Sequence, residues 1–236
     1  IGNLYADVNI TRRDGKLTLG RGVARLDGLR LGGLAWAVDA GDTWNAPVVQ
    51  DFGFTNLFAP PVTFQGLSAS GSSVRTFVMV SGGRVTAQRN IFGTDTDPIG
   101  QRLYQGLFSH RISDRLDVFG HGNYIDSRAM QVYTPLTDWS TDAGGGLRYR
   151  PGPAVELVAD AGISHFQRHG APDAEQTPSG LIGALWSFTR GWAQVNAQRY
   201  PIGRFPVYNY PYIDRHGVFA SGEMDLGSLA RVFGGT

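Results

Sequence analysis

Residues 139–166 read WSTDAGGGLRYRPGPAVELVADAGISHF, and the first half alternates without a break. Trp139, Thr141, Ala143, Gly145, Leu147 and Tyr149 fall on one side of an extended chain; Ser140, Asp142, Gly144, Gly146, Arg148 and Arg150 fall on the other. Successive side chains of a strand point to opposite faces, so one face is apolar with aromatic ends and the other carries charge. After Pro151-Gly152-Pro153 the pattern resumes, with Val155, Leu157, Ala159, Ala161 and Ile163 opposing Glu156, Asp160 and Ser164. These are two strands of about twelve residues, where a strand of a soluble sheet usually has about five or six. A tilted strand crossing a bilayer needs about nine to eleven, apolar outside and polar inside. The hairpin therefore predicts a piece of transmembrane β-barrel wall.

The composition agrees with that reading. The chain has 236 residues, 33 Gly, 12 Pro and no Cys, with 17% charged residues, 11% aromatic residues and a net charge of +1. Soluble domains carry about a quarter charged residues. Without Cys there are no disulfides and no thiol-based metal or redox sites. A near-neutral chain lacks the basic footprint that nucleic acid requires. No apolar run approaches the roughly eighteen residues of a helical membrane span. Mean hydropathy is slightly below zero, as expected when only alternate residues of each strand face lipid. Ile1-Gly2-Asn3-Leu4 already reads as the start of a strand, and Arg231–Thr236 stops within or just after one. Residues 1–236 are therefore expected to be a single β-barrel segment cut from a longer chain.

Along the chain, Leu4–Ile10 and Leu17–Leu26 flank Arg13-Asp14-Gly15-Lys16, and Asp27-Gly28 opens a return strand through Leu34, Trp36 and Val38. Asp-Gly between alternating runs is a strong hairpin signal. Residues 41–61 break the alternation and read as a long loop, and Ser81-Gly82-Gly83 reads as a bulge inside a long strand. Tight turns are expected near Asp27-Gly28, Gly71-Ser72, Ser113-Asp114, Gly152, Arg190-Gly191 and Gly227-Ser228, spaced by about 36 to 44 residues. Between them fall longer loops at 91–100, 128–138, 169–178 and 201–213. Short turns alternating with long loops is the asymmetry of outer-membrane barrels. A β-propeller blade repeats at a similar length, but holds four short strands where this chain offers two long ones per period. The count is about thirteen strands, an odd number against the even count of single-chain bacterial barrels.

Elsewhere the faces follow the same rule. Ile182, Ala184, Trp186 and Phe188 share one face; Ala193, Val195 and Ala197 oppose Gln194, Asn196 and Gln198. Leu116, Val118 and Tyr124 oppose Asp117, Phe119, His121 and Asn123. Two strands are less clean. Residues 101–112 carry apolar side chains in both phases, and Arg21 and Arg25 run in phase with Leu17, Leu19 and Val23. An Arg facing the bilayer midplane costs about 2–4 kcal/mol, so a phase shift or a rim position is expected there. Trp36, Trp139, Trp186, Trp192, Tyr124 and Tyr149 are candidates for aromatic girdles.

Motifs of catalysis are absent: no Gly-x-Ser-x-Gly, no phosphate-cradling loop, no His-Glu-x-x-His. His165 and His169 share a strand face about 13 Å apart, too far for one metal ion. Asp95-Thr96-Asp97 lacks the downstream Glu of a calcium loop. No cofactor and no metal are expected.

In its overall pattern the chain resembles Gram-negative outer-membrane β-barrel proteins. Gly41-Asp42-Thr43, Phe52 to Phe54 and Phe64-Gln65-Gly66-Leu67 resemble a segment in the barrel of fimbrial ushers, with Gln65 standing where that pattern has Arg. The resemblance spans about thirty residues and implies a large barrel of about 24 strands used in polymer or protein export, of which this chain would be about half. It transfers no site residue.

The expectation is thus an all-β, antiparallel up-and-down transmembrane barrel, with about 12–14 strands present as part of a larger one. It would form a bacterial outer-membrane pore or export conduit, contacting lipid and an exported polymer or protein subunit, without catalysis. Asp117, Asn123, Asp142, Arg148, Arg150, Glu156, Asp160, Gln194, Asn196 and Gln198 are the expected pore lining. Tyr208, Tyr210 and Tyr212 form a candidate contact patch in a loop. The alternative is a soluble all-β binding module such as a β-propeller, with a glycan as one class of ligand.

Overall fold

The computed structural model describes residues 2–13, 16–45, 62–88, 96–129, 137–201, 214–225 and 231–235. These residues form thirteen strands: β1 (Asn3–Arg13), β2 (Lys16–Leu31), β3 (Leu34–Asn45), β4 (Val62–Ser72), β5 (Thr76–Gln88), β6 (Thr96–Ser113), β7 (Leu116–Asp126), β8 (Thr137–Gly152), β9 (Val155–Arg168), β10 (Ala174–Phe188), β11 (Gly191–Pro201), β12 (Asp214–Asp225) and β13 (Arg231–Gly235). They make one sheet in strict sequence order, every neighbouring pair antiparallel. This is an up-and-down sheet, not a set of four-stranded blades. The repeat in the sequence therefore marks hairpins. Among the described residues β1 and β13 do not pair, so the sheet is open.

The ladder follows the alternation. In β7 every second residue is buried, beginning with Asp117 and ending with Ile125. The apolar phase of the quoted hairpin faces outward: Leu147 is 50% exposed and Ile163 47%. The other phase faces the inner, buried side of the sheet. Met79, Leu107, Phe119, Val158 and Leu181, from five different strands, form one buried cluster there, and Phe64, Val85, Leu103 and Ile125 form a second. These clusters account for the two apolar phases of residues 101–112. Leu103 and Leu107 fill the inner clusters, while Tyr104 and Phe108 face out.

Several turns fall elsewhere than the sequence suggests. Strand β2 runs straight through Asp27-Gly28, where Gly28 at φ 79° marks a register shift, and the reversal comes at Gly32-Gly33. Both of those glycines have positive φ, at 61° and 77°, which is what a two-residue hairpin turn of the primed type requires. Asp-Gly thus serves a bulge, and Gly-Gly, free of any Cβ penalty at both positions, makes the turn. The bulge expected at Ser81-Gly82-Gly83 is also displaced: the ladder is continuous through those residues, and its shift lies between Arg84 and Thr86. The glycines there have a different task, since a Cβ on Gly82 would stand 2.5 Å from the Tyr104 ring. Strand β3 extends to Asn45, into the expected loop at 41–61, and β6, β8 and β10 likewise begin inside expected loops. The expected turn at Gly227-Ser228 lies outside the described residues, as do Tyr208, Tyr210 and Tyr212.

The phase shift demanded by the arginines of β2 is present. Val8 pairs with Gly22 but Ile10 pairs with Leu19, so the ladder changes phase between Leu19 and Gly22. Arg25 shares the inner phase with Asp39, its ladder partner, and forms ion pairs with Asp27 at 3.7 Å and Asp39 at 3.6 Å.

Strand β8 owes its three consecutive glycines to its neighbours. A Cβ on Gly146 would lie 2.0 Å from the Ala159 carbonyl oxygen and 2.7 Å from Phe119 Cζ. Phe119 lies across β8 because nothing grows from position 146. Gly146→Ala is expected to cost about 1–3 kcal/mol through overpacking, read from the midpoint of denaturant unfolding. Gly120→Ala, whose methyl would meet nothing nearer than 3.7 Å, is expected to stay within about 0.5 kcal/mol of the parent.

Candidate functional site: the charged inner face

All ten residues expected on the polar face take the inner phase of their strands. They are not evenly accessible. Asp117, Asp142 and Arg148 are each 2% exposed, Asn123 5%, and Asp160 and Asn196 7%. Arg150, Glu156, Gln194 and Gln198 are half-buried. The middle strands therefore enclose a packed polar interior.

Toward the short-turn end, Asp117 and Arg148 are direct ladder partners on β7 and β8. Arg148 Nε donates to Asp117 Oδ2 at 2.7 Å, Nη2 donates to the same oxygen, and Arg150 Nη2 reaches it at 2.5 Å. Arg111, opposite Asp117 on β6, brings its Nε within 3.5 Å of Oδ1. Glu156 on β9 lies 3.5 Å from Arg148 and 3.8 Å from Arg150. Three guanidinium groups and two carboxylates thus tie four consecutive strands together. The alternating rows place them side by side, because residues directly opposite across strands stand about 5 Å apart.

Nearer the middle, His121 on β7 reaches across β8. Its Nε2 hydrogen-bonds Asp160 Oδ1 at 2.8 Å, and its Nδ1 lies 3.5 Å from Asp142 Oδ1. Gly144 leaves the space: a Cβ there would stand 2.9 Å from His121 Nε2. Ser164 and Ser179 both donate to Asp142 Oδ2, the second at 3.0 Å. Glu156 and Asp160, four apart on one strand, therefore serve separate networks. Gln105 and Asn123 face each other across β6 and β7, both buried. On β11, Gln194 donates to Ser221 at 2.8 Å, and Trp192, on the inner phase, donates to Glu223 at 3.2 Å.

Alternation alone finds the charges of β7, β8 and β9. It misses Arg111, because residues 101–112 are apolar in both phases and show no preferred face. It also misses the serines, which become partners only once the register sets them beside Asp142. The two histidines weighed as a metal pair are apart: His165 stacks edge-on against Trp139 at 5.1 Å, and His169 hydrogen-bonds Asp138 at 2.7 Å. Among the described residues no group of three His, Asp or Glu side chains is arranged to hold a metal ion. Among the described residues His121, Asp142, Asp160, Ser164 and Ser179 form one buried network. What this arrangement can do is hold strands in register and present a polar surface.

No family model and no curated protein sequence matches the chain.

Removing one member of the buried cluster leaves its partners charged and unpaired, which typically costs about 3–5 kcal/mol. Arg148→Met should lose that much, measured by urea unfolding of the full chain. The double variant Arg148→Met with Asp117→Asn should recover a measurable part. If the two effects simply add, the pair is not coupled.

Proposed function

We propose that this chain is wall of a bacterial outer-membrane β-barrel forming a pore or export conduit, with no catalysis of its own. The observation that carries the reading is the partition of the two faces. The sheet buries Arg148, Asp117, Asp142 and His121 and leaves Ile182 71%, Leu67 54% and Val80 53% exposed. Water-soluble proteins rarely expose contiguous apolar surface beyond a few hundred Å² unless something covers it. No helix or second sheet among the described residues does so. Hydrocarbon would.

The dimensions fit. A strand of eleven residues, such as β7, extends about 37 Å, or about 26 Å of height when tilted by 45°. That matches the roughly 25 Å apolar band of an outer-membrane barrel. Trp36, Tyr124, Trp139, Tyr149 and Trp186 all take the outward phase, where ring edges favour headgroup level.

Passage in this reading follows the less crowded inner surface. Arg25 and Asp27 are 48% exposed on the concave side of β2, and Asp39 on β3 is 25% exposed. Both charge signs line that surface, so weak ion selectivity is expected from planar-bilayer conductance of the full-length protein. The cargo class in this reading is a polymer or a protein subunit.

The chain's lack of Cys gives a direct test of lipid cover. Ile182→Cys lies at an exposed position, and Val74→Cys, in the turn after β4, is 90% exposed at the parent residue. In detergent micelles a charged maleimide should label the thiol at position 74 readily. The thiol at position 182 should react roughly tenfold more slowly, because the apolar band is covered. Equal labelling without detergent would instead favour the soluble binding module.

A further inference from the structure

Resting on the membrane reading, we infer that the outer face of β4–β8 carries a binding site for a phosphorylated lipid at the long-loop rim. Its polar part is a row of ladder partners. Gln65 pairs with Arg84, Arg84 with Arg102, and Arg102 with Asp126. All take the outward phase, and both arginines are exposed. Like charges directly opposite in an antiparallel pair destabilise it. Asp126 stands opposite Arg102 and attracts it, but both of its oxygens are already taken by side-chain hydrogen bonds from Arg128, at 2.9 and 2.8 Å. Among the described residues Arg84 and Arg102 make no ion pair. Two neighbouring guanidinium forks, neither of them hydrogen-bonded to the one carboxylate beside them, suit the oxygens of a phosphate, which accepts parallel N–H bonds.

Below this row, toward the middle of the strands, the surface changes to what an acyl chain needs. A shallow groove runs over Gly106, Gly122 and Ala143 between Val80, Tyr104 and Tyr124. The two tyrosine rings lie 6.2 Å apart one step below the arginines, the level at which an amphipathic ring meets the headgroup boundary. The glycines are not there for protein packing. A Cβ on Gly106 would meet nothing nearer than 3.7 Å, and one on Gly122 nothing nearer than 3.6 Å. Gly146 and Gly66 contrast with them, since a Cβ at either would collide with backbone. Bare glycines in a strand weaken it, and here they keep open a lane below the two exposed arginines. The occupant is a lipid with a phosphate at its head and an acyl chain lying in the lane.

The full-length protein, reconstituted into phosphatidylcholine vesicles with or without phosphatidylglycerol, tests this. After gentle extraction, native mass spectrometry reads which lipid stays bound, and flotation reads insertion. Phosphatidylglycerol should be retained over phosphatidylcholine, and Arg84→Gln with Arg102→Gln should reduce that preference roughly tenfold without reducing flotation. Gly122→Val, at a position where a Cβ would meet nothing nearer than 3.6 Å, should lower retention of phosphatidylglycerol by filling the groove. A double Arg variant that keeps the preference overturns the site. So does retention that Gly122→Val leaves unchanged while inorganic phosphate abolishes it, because the anion alone would then be the ligand. Failure to float with either vesicle overturns the membrane reading itself, whereas flotation without preference overturns only the lipid site.

Discussion

Arg148 is the side chain on which the inner face depends most. A guanidinium 2% exposed to water has given up solvation worth several kcal/mol, and only close, hydrogen-bonded partners offset that cost. Those partners come from other strands: Asp117 on β7 and Glu156 on β9. The cluster exists only in one register. A slip of β8 by one residue would turn Arg148 outward, bring Leu147 and Tyr149 inward and leave Asp117 buried against an apolar neighbour. Hydrophobic alternation alone sets which face is which; the ion cluster sets which residue meets which. A sheet of consecutive hairpins needs such a device, because each strand can otherwise slide by two residues and keep its faces.

The glycines of β8 make this packing possible. Phe119 and His121 are too long to stand upright in a tightly curled interior, so they lie across the next strand, over Gly146 and Gly144. The stretch 139–166 thus organises its neighbours as well as itself. Its faces and charges were legible in the sequence because strand geometry assigns them residue by residue. The use of its glycines was not. A Gly that admits a neighbouring ring and a Gly that lines an open lane look alike until the neighbour is placed. The turn at Gly32-Gly33 shows the same ambiguity, since Asp27-Gly28 and Gly32-Gly33 both satisfy the local chemistry of a reversal. Only the pairing of Leu31 with Leu34 separates them. The inner clusters around Leu107 and Leu103 escaped for a related reason. Apolar residues in both phases carry no directional signal, so a strand that contributes to both inner clusters was the least informative to read.

The two faces also explain each other. Charges can be buried on the concave side because curling brings opposite signs from adjacent strands within reach. Apolar residues on the convex side have no such neighbours, since curvature spreads them apart. The grooves between them, floored by small residues, are the geometric consequence. In water that spreading would be costly. In hydrocarbon, the setting proposed above, it would be neutral, and each groove would offer a chain of methylenes a place against the wall.

One constraint remains on how such a wall closes. β1 has a single hydrogen-bonded neighbour among the described residues, and so has β13. If the proposed bilayer setting holds, unpaired backbone N–H and C=O groups on either edge would each cost several kcal/mol. Thirteen strands in an up-and-down order leave the first and the last pointing the same way. Direct closure would therefore make a parallel seam, with slanted hydrogen bonds. A second copy inserted in the same direction would present the same parallel seam at each junction. An antiparallel seam demands an odd number of further strands between β13 and β1. The direction of two strands, rather than any side chain, thus decides which assemblies can complete this wall with the ladder it uses everywhere else.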